Sequence, residues 1–203
     1  MKRLFKPPLL IQWYFHRRQW RGKENKVYLT FDDGPSPNLT DQLLAILQAE
    51  GVSATFFCVG ENARKYPELI EMIRSHGHAI GNHTMRHERG TKVKMNDYLS
   101  SIREASKYID SKLFRPPYGR MPSRTAWRVA RDYKVVMWSW LSYDFDVNIP
   151  VSEILKKAEK QLRGGEVLVL HDNEKVHDRV IQLLPELIEI VREKGLEFGI
   201  ISA

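Results

Sequence analysis

Asp32 and Asp33 stand side by side at the end of the apolar run "KVYLTF", and Gly34 and Pro35 follow at once. Neighbouring strand residues point to opposite faces, so two adjacent carboxylates can share one task only if the strand stops beneath them. The Gly-Pro pair supplies such a stop. Further along, "NHTMRH" sets His83 and His87 four residues apart. On one helical turn that spacing directs both imidazoles to one side, at a separation suited to one divalent ion. One carboxylate added to the pair makes three ligands, and a fourth position open to water is the pattern of a catalytic centre. Paired carboxylates also serve glycosidases, but adjacent residues do not readily span the roughly 5 to 9.5 Å which that chemistry requires. A plain turn or ion-pair role for the two aspartates is the remaining alternative.

The elements around these residues alternate. Short strand-like runs are expected at 26–31, 54–60, 78–82, 113–116, 135–140, 166–170 and 197–202. Amphipathic helical patterns lie between most of them, as in Leu39, Leu43, Leu44 and Leu47 or in Leu69, Ile70 and Ile73. Later helices are readable at 96–110, 122–134, 151–163 and 178–194, the last with Pro185 inside, which marks a kink or a restart. Such alternation argues a parallel sheet covered by helices. Without a Gly-rich dinucleotide fingerprint, an open doubly wound sheet and a closed barrel both remain.

Asp32 and Asp33 end the first run, His83 follows the third, Arg115 ends the fourth, Asp144 follows the fifth and His171 ends the sixth. In a parallel barrel all these carboxyl ends open on one face, so residues distant in sequence converge there. Other histidines have no such setting. His76 and His78 flank Gly77 at a helix-to-strand turn, where capping or solvent exposure accounts for them, and His16 and His177 have no partner motif in the sequence.

The totals narrow the class. A chain of 203 residues, 42% hydrophobic, suits one domain with a substantial core. The lone Cys58, inside "ATFFCVG", excludes an internal disulfide and reads as a small buried hydrophobe. Of the net charge of +7, all falls in residues 1–26, where eight basic side chains face Glu24 alone; the remainder holds 24 of each sign. The body therefore gives no reason to expect nucleic acid as a partner. The arm "MKRLFKPPLLIQWYFHRRQW" has too short an apolar stretch and no cleavage site for a secretory leader. It is expected to pack across the bottom of the fold, the alternative being contact with an anionic membrane or envelope polymer. No stretch reaches the roughly 20 apolar residues of a membrane span. Without a convincing signal peptide, cytoplasmic and envelope-associated locations are both expected alternatives. No feature of the sequence speaks to oligomeric state.

In this order, "TFDDGP", "HTMRH", "RPPYG" and "LVLHD" resemble four of the five signature motifs of the polysaccharide deacetylases, the family-four carbohydrate esterases. The resemblance runs from about residue 26 to the C-terminus, so 26–203 is the expected catalytic domain and 1–25 an arm on or beside it. It implies a distorted, TIM-like (β/α) barrel of seven or eight strands with its active site at their C-terminal ends. The implied reaction is hydrolysis of N-acetyl groups on a peptidoglycan- or chitin-like glycan, with one divalent ion, expected to be zinc, activating the attacking water. O-acetyl ester hydrolysis by the same site, or a non-catalytic sugar-binding relative, is the alternative.

The resemblance also assigns roles. Asp33, His83 and His87 match the metal ligands, Thr84 a residue that steadies the His loop, and Asp32 the catalytic base. Bound zinc brings water from a pKa of about 15.7 to roughly 7, so a weakly basic carboxylate suffices. Arg115 would lie against Asp32 and keep it ionised and aimed, and the Tyr118 N–H would be an oxyanion donor. His171 matches the general acid, with Asp144 raising its pKa, and Val169 and Leu170 would wall the acetyl pocket. The fifth motif departs from its Asp-x-x-Asp-Trp pattern: in "LSYDF" the first aspartate is Leu141 and the tryptophan is Phe145, which bears on the support around Arg115. Trp138 and Trp140 are expected in the strand core, with a sugar-stacking face as the other reading.

Overall fold

A computed structural model describes residues 4–203. In chain order the elements are α1 (Leu9–Tyr14), β1 (Lys26–Asp32), α2 (Leu39–Ala49), β2 (Thr55–Cys58), α3 (Gly60–Lys65), α4 (Pro67–Ser75), β3 (Ala79–Asn82) and α5 (Met95–Ala105). Then follow β4 (Leu113–Phe114), α6 (Ser123–Val129), β5 (Lys134–Val135), β6 (Trp140–Leu141), α7 (Val151–Gln161), β7 (Val167–His171), α8 (His177–Glu193) and β8 (Glu197–Phe198). Pro185 lies inside α8, which runs on through it.

All strand pairs are parallel, in the order β5-β4-β3-β2-β1-β7-β6. That is the order met on walking round a barrel, with the β5–β6 pair missing among the described residues. The seventh expected run becomes β8, which pairs only with Lys26 and Val27 at the start of β1, outside the ring.

The expected strand at 135–140 is where the structure differs. It is bent, and its halves serve different neighbours. Val136 N–H donates to the Phe114 carbonyl at 2.8 Å on the β4 side, whereas Ser139 N–H donates to the Val167 carbonyl at 3.0 Å on the β7 side. The ring is thus completed through the covalent chain at 136–139, not through a ladder between two edges. The arm fills the side left free: Gln19 N–H donates to Val135, and Met137 N–H donates back to Gln19.

Period-two alternation sorts the strand residues. On β1, Leu29 and Phe31 face the helices with Leu168 and Leu170 of β7, in the main core. Tyr28, Phe57, Leu113, Val136, Val167 and Ile201 fill the barrel's lower interior. Thr30 and then Asp32 stand above them on the same face as Tyr28. The apolar plug below leaves polar chemistry only one outlet, the C-terminal rim. No helix among the described residues is long and apolar enough to cross a membrane.

The arm divides into inward and outward parts. Phe5 packs on Trp140 and Tyr143, Lys6 pairs with the buried Glu166, and Trp20 joins Tyr98, Phe114 and Met121. Between those anchors α1 is exposed. Residues 1–3, with Lys2 and Arg3, lie outside the described residues.

Candidate active site

β1 ends at Asp32 and the chain turns at once, with Asp33 at φ 80° and a cis Gly34-Pro35 bond. The turn brings both carboxylates to the rim of one cavity. Gly34 is required by close approach: a Cβ there would stand 2.2 Å from Asp172 Oδ2. Asp172 is buried and takes the Thr40 hydroxyl at 2.7 Å, so it buttresses the turn from behind.

His83 and His87 do not lie on a helical turn, contrary to the spacing argument. They sit on the loop after β3, with Thr84 and His87 in the left-handed region at φ 67° and 56°. Side chains hold that loop. Thr84 N–H donates to Asn82 Oδ1 at 2.9 Å, its hydroxyl oxygen accepts Glu88 N–H, and Ser101 binds both Met85 N–H and Glu88.

The loop brings His87 Nε2 to 3.1 Å and His83 Nε2 to 3.7 Å from Asp33 Oδ1, and the three ligand atoms lie within 4.8 Å of one another. They fit a divalent cation by donor chemistry as well as distance. His83 Nδ1 lies 2.7 Å from the Arg115 carbonyl, which can only accept, so Nδ1 carries the proton and Nε2 presents its lone pair. Burial pulls the His83 pKa down to about 4 against the attraction of Asp32 and Asp33, so the ring is neutral, as a ligand must be. Burial alone would raise Asp33; its hydrogen bond with His87 and the nearby imidazoles outweigh that and hold the carboxyl well below its ordinary range. Its other oxygen accepts from Asn173 Nδ2 at 2.9 Å, and Asn62 binds its carbonyl.

Asp32 stands beside this triangle, Oδ2 being 3.9 Å from His83 Nε2. Its Oδ1 takes Arg115 Nη1 at 2.6 Å. Arg115 is fully buried, and each of its three nitrogens has a partner: Nη1 also reaches the Thr30 hydroxyl at 2.7 Å, Nη2 the Met137 carbonyl and Nε the Val136 carbonyl, with Phe57 4.1 Å beneath. The guanidinium therefore takes its support from Thr30 and two carbonyls of the bent strand, and Leu141 faces the cavity instead.

Across the cavity, His171 Nδ1 lies 2.7 Å from Asp144 Oδ1, and His171 N–H donates to Oδ2 at 2.7 Å. Ser142 donates to Oδ1 as well. Burial opposes charge on the imidazole, but Asp144, with Asp33 and Asp32 farther off, outweighs it and lifts the pKa to about 9. Nε2 is left for the cavity side. Phe145 meets the ring edge-on at 5.1 Å.

The cavity measures about 550 Å³ and holds Asp32, Asp33, His83, His87 and His171 together; Arg115 and Asp144 lie behind its wall. Tyr118 is at the mouth, its backbone at φ 58° and its ring 4.7 Å from His87. Gly119 follows where a Cβ would strike Trp138 at 2.4 Å. Val169 lines the cavity, but Leu170, one residue on, faces the helices and is core, because alternation forbids both from walling one pocket. Trp138 reaches the cavity and Trp140 is buried against Phe5, since the bend between them breaks strand alternation. His78 is buried, not exposed, and accepts Ala54 N–H.

Thr30 and Asn173 also belong to the site, outside every residue singled out from the sequence. Each carried a signal: Thr30 is two residues before Asp32 on one strand face, and Asn173 is two beyond His171 at the same strand end.

Residues 20–138 match the pattern of the polysaccharide deacetylase family. The chain is 31% identical over 187 residues to a peptidoglycan-N-acetylglucosamine deacetylase of Bacillus cereus, covering 88% of this chain and 87% of that protein. It is 32% identical over 162 residues to a chitooligosaccharide deacetylase of Azorhizobium caulinodans, covering 73% and 74%. The fold superimposes on the crystal structure of the Bc1960 peptidoglycan N-acetylglucosamine deacetylase with a TM-score of 0.87 at 29% identity, over 96% of this chain and 95% of that one.

Proposed function

Since this chain belongs to the polysaccharide deacetylase family, we propose that it removes N-acetyl groups from a peptidoglycan- or chitin-like glycan by metal-assisted hydrolysis. The observation that carries the reading is the Asp33, His83 and His87 triangle, with Asp32 beside it and His171 across the same cavity. A divalent ion bound there, for which two imidazoles and a carboxylate favour zinc, would supply Lewis-acid polarisation and acidify water at the site.

The chain's own residues do the rest. Asp32, aimed by Arg115 and Thr30, accepts the proton of the attacking water. The Tyr118 N–H donates to the oxyanion that develops on the acetamide. His171, kept protonated by Asp144, hands its proton to the departing sugar nitrogen. That last group favours the amide over the O-acetyl reading, because an amine leaves poorly without a proton and an alcohol depends on one less. Val169, Leu141, Phe145 and Trp138 supply apolar wall for the acetyl methyl and the sugar faces.

Arg89, Arg120 and Lys175 line the same cavity, and none of them forms an ion pair among the described residues. A rim of uncompensated cations favours a glycan bearing carboxylates, as in peptidoglycan, over neutral oligomers. The test is acetate release by the zinc-loaded chain from N-acetylglucosamine oligomers and from peptidoglycan, beside an Asp32→Asn variant. A loss of about 10²-fold or more in the variant is expected. Equal release by both proteins would remove the catalytic assignment.

A further inference from the structure

Helix α1 is inside out. Leu9, Leu10, Trp13 and Tyr14 are 74%, 78%, 76% and 68% exposed. Gln12, the sole polar residue of the helix, is instead half-buried and donates to the Pro7 carbonyl at 3.0 Å. A water-facing helix shows the opposite arrangement.

This exposure is built into the fold, because both flanks of the helix are tied to the barrel. Before it, the Phe5 carbonyl accepts Leu141 N–H at 2.8 Å, and Lys6 holds Glu166 and the Gln161 carbonyl. After it, Arg18 is buried with its guanidinium 4.1 Å over Phe15, Gln19 bridges the bent strand, and Trp20 Nε1 donates to the Phe15 carbonyl. The barrel thus presents a short apolar rod outward on two fixed supports.

The surroundings of the rod are basic and aromatic. A groove beside it is lined by Tyr14, Arg17 and, from α6, the exposed Trp127, over whose ring Arg131 lies at 5.6 Å. Asp132 is the carboxylate next to Arg131, and Glu24 is the one acid of the arm. Within the arm Lys6 and Arg21 pair with Glu166 and Lys26 with Glu197, whereas Arg17, at the end of the rod, is exposed and has no ion pair among the described residues. Exposed Leu and Trp for the acyl boundary, Tyr for the headgroup level and arginines for phosphates are what an interfacial anchor requires.

We propose that α1, with Arg17, Trp127 and Arg131 around it, docks this protein on the surface of an anionic lipid bilayer. The helix lies in the headgroup region and does not span. Docking is independent of the hydrolytic reading, since no residue of the anchor lines the catalytic cavity.

The experiment is co-sedimentation of the full chain with mixed phosphatidylcholine and phosphatidylglycerol vesicles and with phosphatidylcholine alone, at low and high salt. Binding is expected to the mixed vesicles, weakened by salt and weak on the neutral ones. Leu10→Glu with Trp13→Glu is expected to weaken it about tenfold or more, with an unchanged unfolding midpoint because both side chains are exposed. Should that variant fold poorly, Leu9→Gln with Leu10→Gln takes its place. Equal binding to both vesicle types, or undiminished binding by the folded variant, overturns the proposal. So does a dimer in light scattering that the same substitutions dissolve and vesicles do not compete for, which would assign the face to a second copy.

Discussion

The carbonyl oxygen of Arg115 accepts the Nδ1–H of His83 at 2.7 Å, while the guanidinium of the same residue holds Asp32 at 2.6 Å. One residue thereby fixes the tautomer of a candidate metal ligand through its backbone and the aim of the candidate base through its side chain. The two functions can be separated, because substitution removes only the second.

Arg115→Lys should therefore keep zinc affinity and lose turnover. Lysine cannot reproduce a fork that reaches Asp32, Thr30 and two carbonyls at once. A fall in kcat of about tenfold or more is expected with stoichiometric zinc retained, read by steady-state kinetics and metal analysis. Loss of zinc with the side chain would contradict this division.

The His171 and Asp144 pair sets the alkaline limit. With the imidazole raised to about 9, the acid is protonated through neutral pH, and activity should fall as pH rises through that value. Asp144→Asn leaves burial, which pulls downward, and should move the limb down by about two units or more. The stability sign agrees: the folded pKa exceeds the ordinary 6.5, so the pair's contribution is full below that pH and fades as pH rises through about 9. A pH–rate profile and unfolding midpoints across pH measure both.

Removal of metal should abolish acetate release, and zinc should restore it. Zinc should also raise the unfolding midpoint of the native chain, since a ligand that binds only the folded state stabilises it. Asp33→Ala, which deletes the atom shared by both histidines, should show no such rise. Calorimetry with and without chelator decides.

Arg120→Ala and Lys175→Ala should act on substrate choice. KM for carboxylate-bearing peptidoglycan fragments is expected to rise several-fold, about 3- to 10-fold, with KM for neutral chitooligosaccharides nearly unchanged. Parallel shifts on both substrates would remove the case for an acidic glycan.

Phe5→Ala tests the arm as part of the barrel. Phe5 is buried against Trp140 and Tyr143, and its loss should cost about 3 kcal/mol of stability, seen in denaturant unfolding.

Much of the fold was legible because β-strand alternation is local. The run "KVYLTFDD" states by itself which residues face inward, and a Gly-Pro stop after two aspartates needs only the geometry of one strand end. Helix α8 was equally plain from its apolar spacing, and Pro185 left it whole. The run at 135–140 misled for the opposite reason. Its residues favour a strand throughout, and nothing within them says that Val136 pairs with β4 while Ser139 pairs with β7. The four-residue spacing of His83 and His87 fits a helical turn as well as a loop, and the left-handed backbone at Thr84 and His87 is stabilised by Asn82 at the head of the motif and by Ser101 from outside it.

Which side chains gather at the carboxyl ends of parallel strands could be read from the chain alone, because side-chain direction follows from covalent geometry and the period of each element. The tertiary structure alone decided how the ring closes, that Thr30 and two carbonyls hold Arg115 where Leu141 offers nothing polar, and that α1 is turned outward. Those outcomes depend on which distant groups satisfy each buried donor and acceptor, a balance struck across the whole chain that no local pattern records.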